Sequence, residues 1–316
     1  MNMVSNDHRV ASGREGLNVF LRNKHVGDGG QTLLMVHGAT YPGTVMFDYP
    51  VEGVSWMDWM AERGFDVWCI DLLGYGKADR PAEMDAPAGA SGPIVDTGEA
   101  VRDVKLAIEF ILKERGISQL DLLGYSWGTA IGGQVAGEVP EKIRRLVLSG
   151  ALWLRSGNVQ IQVDGELGAY RTVTADAVVK RWTINLDEDQ KAAIAPAARL
   201  RQWAADAVAT DPDSSRHDPP MLRAPTGVVK DVMQHWLKEN PTYDPAAIRC
   251  PTQVVVGEWD HETTPEQGRA VFDRLTGTDT RRYTVIGGGT HSLLLENQRH
   301  QLYEVTRSFL SADLTG

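Results

Sequence analysis

A serine, a histidine and a carboxylate are the residues around which this chain can build chemistry. Ser126 sits in Gly124-Tyr125-Ser126-Trp127-Gly128, after the apolar run Gln119-Leu120-Asp121-Leu122-Leu123 and before a stretch of small residues that reads as a helix. A Gly-x-Ser-x-Gly turn between strand and helix strains the serine backbone and exposes its hydroxyl at a helix N-terminus, with glycines where a Cβ would clash. A serine hydroxyl needs a base to take its proton and a carboxylate to orient that base. Asp260 ends Val254-Val255-Val256-Gly257-Glu258-Trp259-Asp260, where an apolar strand runs into a loop. His291 lies in Gly287-Gly288-Gly289-Thr290-His291-Ser292, directly after the last expected strand. Both loops fall where open α/β sheets bind ligands. Glu258 is the competing carboxylate. Among the other histidines, His261 is too close to Asp260 to be its partner, and His8, His25, His37, His217, His235 and His300 fall on early strands, a helical region or the terminal helix.

Such residues meet only if parallel strands carry them to one sheet edge. Short apolar runs alternate with helical patterns up to about residue 150, which predicts βα units around a mostly parallel central sheet with helices on both faces. Residues 10–12 and 17–22 read as an opening antiparallel pair, and residues 32–36, 67–70, 120–123 and 146–148 as central strands. Val101, Val104, Ile108, Ile111 and Leu112 share one helical face, so residues 99–115 form a crossover helix ended by Gly116. After Trp153 the pattern turns helical over 175–184, 189–209 and 228–239, separated by a proline-rich stretch that needs no strand. Residues 154–240 are therefore expected to be a helical cap inserted in a core made of 1–153 and 241–316. The sheet rhythm resumes at 252–256 and ends with a strand at 282–286 and a helix near 293–309.

The chain has 316 residues and a formal net charge of −10, which disfavours a phosphate-backbone partner and with it nucleic acid. Its start lacks a basic flank leading into an apolar core, and no apolar run is long enough to span a bilayer, so a cytoplasmic location with no membrane partner is expected. Cys69 and Cys250, each beside apolar strand-like sequence, are expected to be reduced and buried. No His/Asp/Cys spacing points to a metal.

Taken together, His37-Gly38, the segment from Asp71 to Pro81 with Gly74 and Gly76, the Ser126 turn, Gly257-Glu258-Trp259-Asp260 and the His291 loop resemble the α/β-hydrolase fold family over nearly the whole chain. The resemblance implies an α/β-hydrolase fold in which Ser126, Asp260 and His291 follow the family order of nucleophile, acid and base. It implies an oxyanion hole from the backbone N–H groups of Trp127 and Ala39, with His37 bracing the loop by hydrogen bonds and the Asp71 segment serving as architecture. Family members that dehalogenate alkanes or open epoxides carry an aspartate at the turn, and Ser126 argues against both activities. The implied activity is hydrolysis of a small carboxylic ester through an acyl-enzyme, with no cofactor. Trp153, Trp182, Trp203, Trp236 and Trp259 are expected to line an apolar substrate pocket, with Met46, Met57, Met60 and Met233 adding apolar surface. Arg155, Arg171 and Arg181 are candidates to hold a substrate carboxylate, as in a half-ester. A proline iminopeptidase-like amidase, a lactonase and a C–C bond hydrolase share the same constellation. A ligand receptor on this scaffold is the non-enzymatic alternative, disfavoured because such receptors often lose a triad member.

Overall fold

The computed structural model describes residues 2–154 and 166–313. The first half contains β1 (Met3–Ala11), β2 (Asn18–Val26), β3 (Gln31–Val36), α1 (Gly43–Phe47), α2 (Trp56–Ala61), β4 (Phe65–Asp71), α3 (Thr97–Arg115), β5 (Leu120–Tyr125), α4 (Trp127–Glu138) and β6 (Ile143–Ser149). The next segment contains β7 (Tyr170–Thr174), α5 (Ala175–Trp182), α6 (Glu188–Ile194), α7 (Ala197–Val208), β8 (Met221–Pro225) and α8 (Gly227–Gln234). The chain returns through β9 (Thr252–Gly257), α9 (Pro265–Arg274), β10 (Arg281–Ile286) and α10 (Arg299–Ser311).

Eight strands form one sheet in the order β1-β2-β4-β3-β5-β6-β9-β10. β2 runs antiparallel to both β1 and β4, and the remaining neighbours are parallel. Alternation along each strand feeds two cores. In β3, Leu34 and Val36 join Val104 and Ile108 of α3 and Ile131 of α4, whereas Leu33 and Met35 join Trp56 of α2 and Phe309 of α10. Helices thus cover both faces, which is why the central strands are apolar throughout. Because β5, β9 and β10 all point the same way, the loops that follow them emerge at one edge of the sheet.

The crossover helix α3 starts where its local chemistry dictates. The Asp96 side chain accepts the Glu99 N–H at 3.0 Å while Glu99 accepts the Asp96 N–H at 3.2 Å, and Gly116 ends the helix at φ 63. The Asp71 carboxylate, fully buried, accepts bonds from the Thr44 N–H at 2.9 Å, the Thr44 hydroxyl at 3.0 Å and the Lys77 N–H at 3.0 Å. It ties the loop after β4 to α1.

Several expected elements differ. The opening pair extends over all of β1 and β2, well beyond 10–12 and 17–22. The stretch expected to be helical after Trp153 is not purely so, since β7 and β8 pair antiparallel from Tyr170↔Pro225 to Thr174↔Met221. The expected helix at 189–209 is two helices, because Ala195 precedes Pro196 and is extended (φ −167, ψ 153). The helix expected at 228–239 stops at Gln234, and the one near 293–309 begins at Arg299. Cys69 and Cys250 are both buried free thiols. No helix among the described residues is long and apolar enough to cross a membrane.

Candidate active site

Ser126 is the single residue between β5 and α4, and the tight turn gives it φ 54 and ψ −119. A β-carbon-bearing residue is strained there, and the surrounding structure must hold it. The Ser126 N–H donates to Ser149 O at 2.9 Å, and Ser126 O accepts the Thr129 N–H at 2.8 Å. The flanking glycines are required by space: a Cβ on Gly124 would lie 2.2 Å from Gly128 O, and one on Gly128 would lie 2.2 Å from Val36 O.

The fold brings the three separated candidates together. Ser126 Oγ is 2.8 Å from His291 Nε2, and His291 Nδ1 is 2.8 Å from Asp260 Oδ2. A carboxylate only accepts, so Nδ1 carries the proton and Nε2 is left to accept the serine proton. Asp260 is itself fixed: Oδ1 accepts the backbone N–H groups of Glu262 and Thr263, each at 2.8 Å, and Oδ2 also accepts the Thr263 hydroxyl at 2.8 Å. The Tyr125 hydroxyl donates to His291 O at 2.8 Å and holds the histidine loop against the end of β5. Glu258, the competing carboxylate, is exposed and accepts the Gly288 N–H at 2.9 Å.

Beside Ser126 runs the loop that follows β3. A Cβ on Gly38 would sit 2.8 Å from Ser126 Cβ, so only glycine lets the loop pass this close. His37 is fully buried, with Nδ1 2.6 Å from Gly38 O and Nε2 accepting the Leu72 N–H at 3.1 Å. Burial drives its pKa down to about 4, keeping it a neutral brace. Trp127 opens α4, so its N–H is among those without an intrahelical partner, and Ala39 lines the cavity at Ser126.

That cavity is walled by Tyr41, Tyr125, Val178, Trp182 and Trp203. Trp182 and Trp203 meet edge to face with ring centroids 5.2 Å apart. The other three tryptophans expected in the pocket lie elsewhere, because their rings complete the protein's own packing. Trp153 donates to Tyr243 O at 3.0 Å, Trp236 is fully buried in the core, and Trp259 packs against the same core as Trp182 and Trp203 without lining the cavity. Met46, Met57 and Met60 are likewise core residues, whereas Met233 faces solvent at 52% exposure.

The arginines are already engaged. Arg181 lines the cavity but pairs through two nitrogens with Glu262, one contact being Nε to Oε1 at 2.8 Å. Arg171 is bonded to the Thr40 hydroxyl, and Arg155 lies outside the described residues. Arg181 thus has its charge matched by Glu262, whereas Arg171 bonds a neutral hydroxyl and does not line the cavity.

Sequence reasoning missed Glu262, Thr263 and Glu296. The first two follow Asp260 in the same loop, where turn residues carry no distinguishing signal. Glu296 is fully buried beneath the histidine loop, accepting the Thr290 N–H at 2.9 Å and the Trp182 indole N–H at 2.8 Å. Burial raises its pKa to about 7. Among the described residues no group of three or more His, Cys, Asp and Glu is arranged to hold a metal ion.

Burial alone would disfavour a charged His291, but Asp260 and Glu262, the latter 3.9 Å from Nε2, outweigh it and raise its pKa above the ordinary value. Glu262→Gln removes one anion and leaves the Arg181 cation unopposed, so the His291 pKa is expected to fall. An NMR titration of the imidazole should show the midpoint moving to lower pH. A midpoint unchanged or higher contradicts this account.

A family model described as serine aminopeptidase, S33, matches residues 54–298. The chain belongs to this α/β-hydrolase family. A 2-hydroxymuconate semialdehyde hydrolase from Pseudomonas sp. (strain CF600) is 32% identical over 157 residues, covering 48% of this chain and 47% of that protein. The chain thus matches about half the length of that curated relative. Among solved structures, a serine hydrolase from the polyaromatic hydrocarbon-degrading bacterium Cycloclasticus zankles superposes with TM-score 0.66 at 14% identity, over 99% of this chain and 100% of its own. A meta-cleavage product hydrolase from Pseudomonas fluorescens IP01 gives TM-score 0.65 at 13% identity, over 96% of each chain. At such identities these superpositions establish the fold. This α/β-hydrolase thus carries its Ser126 turn, Asp260 and His291 within the family's matched span.

Proposed function

We propose that this α/β-hydrolase cleaves small carboxylic esters with an apolar or aromatic acyl group, through an acyl-enzyme on Ser126. The observation that carries this reading is the hydrogen-bonded series from Ser126 Oγ through His291 to Asp260, both links 2.8 Å. In the proposed reaction His291 Nε2 takes the hydroxyl proton as Oγ attacks the ester carbonyl, and the oxyanion accepts N–H bonds from Trp127 and Ala39. The imidazolium, stabilised by Asp260, then gives that proton to the departing alcohol. Water, deprotonated by the same nitrogen, attacks the acyl-enzyme, and the proton returns to Oγ as the acid leaves. The aromatic wall of Trp182, Trp203 and Tyr41 supports an apolar acyl group. The pairing of Arg181 with Glu262, and the place of Arg171 outside the cavity wall, favour a neutral acyl group over a half-ester.

A second reading, hydrolysis of a C–C bond next to a ketone, is favoured by the match to the 2-hydroxymuconate semialdehyde hydrolase. A substrate panel separates the two. Nitrophenyl butyrate and nitrophenyl phenylacetate are expected to turn over with kcat/KM of at least about 10⁴ M⁻¹s⁻¹, the low end for enzymes. Turnover of 2-hydroxymuconate semialdehyde at least a hundredfold more efficient would install the second reading instead. Strong cleavage of prolyl nitroanilide with no ester cleavage would reject both.

A further inference from the structure

Thr40 is the most unusual residue near the site. It follows Ala39 in the loop after β3, is 1% exposed, and has φ 83, a left-handed conformation that a β-branched side chain disfavours. Strain of this kind persists only where neighbours over-determine it. The partners of its hydroxyl come from the inserted segment. The Thr40 hydroxyl oxygen accepts a bond from Arg171 Nη2, carried by β7, and one from Arg181 Nη1 of α5 at 3.4 Å. Two donors occupy both acceptor sites of that oxygen. Arg181 is anchored by Glu262, whereas the Arg171 Nε is buried with no hydrogen-bond partner among the described residues, and Arg171 is not part of the cavity wall. Its guanidinium is thus held in a poorly solvated place where the bond to Thr40 is its defined polar contact. Burial and the nearby Arg181 lower its pKa to about 10, which still leaves it charged at neutral pH.

We infer that Arg171 is a positioning residue that acts through the Thr40 hydroxyl to hold the oxyanion loop, so that the inserted segment sets where the Ala39 N–H points. The inference rests on the reading of Ser126 as nucleophile and Ala39 as oxyanion donor. Arg171 touches no substrate in this role. Its effect reaches turnover because a donor displaced by about 1 Å forfeits much of its stabilisation of the tetrahedral oxyanion.

The test uses the full-length protein and a neutral ester, nitrophenyl acetate, which offers no anion to an arginine. Arg171→Gln and Thr40→Val are each expected to lower kcat at least about tenfold with KM changed less, part of the roughly hundredfold worth of one oxyanion donor. The double variant should be no worse than the weaker single, since both break one link. Thr40→Ser keeps the hydroxyl and should stay within about twofold of the parent, as should Lys180→Gln, which removes an exposed α5 cation. The Ala39 backbone amide resonance, read by NMR without turnover, should move in Arg171→Gln and Thr40→Val and stay in Lys180→Gln. Folded variants with unchanged kcat on the neutral ester, or with strictly additive losses, overturn the inference. Should Ser126→Ala retain ester turnover, the functional reading fails. The amide resonance then still decides the Arg171–Thr40 link, and an unmoved resonance rejects it.

Discussion

Ser126→Ala is expected to lower kcat on nitrophenyl esters by about a millionfold, on the scale of serine-triad knockouts, while KM changes little. The change deletes one oxygen from the cavity and leaves its aromatic wall, the Trp127 and Ala39 amides and the His291–Asp260 pair in place. The variant keeps a Cβ at φ 54, so the turn is as strained as before and the protein should fold as the parent does. His291→Ala should cost nearly as much, and the double variant little more than either single, because the two side chains act as one unit. Residual activity of about 10³- to 10⁴-fold over water would come from binding and the oxyanion donors. Steady-state turnover with freshly purified variants, checked by covalent labelling of Ser126 in the parent, measures this. Ester turnover in Ser126→Ala within tenfold of the parent would remove Ser126 from the chemistry altogether.

What the sequence made legible follows from which constraints are local. The Ser126 turn is readable because three constraints coincide within five residues: a buried strand end, a helix start, and two positions where a Cβ would meet backbone oxygen at 2.2 Å. Asp260 and His291 are readable because parallel strands deliver their loops to the same edge. By contrast α2 and α9 went unread, although Ser55 with Asp58 and Thr264 with Gln267 form reciprocal capping boxes that mark both starts. Almost the whole of α2 is apolar and buried, which erases the 3.6-residue alternation on which helix reading depends. The β7–β8 pair was missed for another reason. Its strands are joined through contacts 55 residues apart, Tyr170 with Pro225, and no local turn announces them.

The tryptophans mark the limit more sharply. An indole on a helix has the same sequence signature whether it packs in the core or faces a cavity. Trp182 and Trp236 both read as residues of the inserted segment, yet one lines the space at Ser126 and the other is fully buried. The difference is set by partners distant in sequence: Trp182 donates to Glu296, 114 positions away, while Trp236 turns to nearby Thr242. The same holds for Thr40, whose hydroxyl is bonded by arginines from β7 and α5 that lie more than a hundred positions away.

The acid assignment gives the second large effect. Asp260→Asn is expected to lower kcat by about ten-thousandfold, even though the side chain keeps its size. The loop dictates how the amide sits. Oδ1 receives two backbone N–H groups, from Glu262 and Thr263 at 2.8 Å, so the asparagine oxygen must take that place and its NH₂ must turn toward His291 Nδ1. A donor facing Nδ1 forces the imidazole proton onto Nε2, and the nitrogen 2.8 Å from Ser126 Oγ can no longer accept the serine proton. The negative charge that stabilises the imidazolium is lost as well. Because both backbone bonds survive, unfolding should change little, and a loss of kcat without a loss of structure separates orientation from folding. Glu258→Gln is the control: that carboxylate is exposed and, among the described residues, bonds outward to the Gly288 N–H at 2.9 Å, so kcat should stay within about threefold. A larger loss from Glu258→Gln than from Asp260→Asn would transfer the acid role to Glu258, and with it the account of how His291 is held.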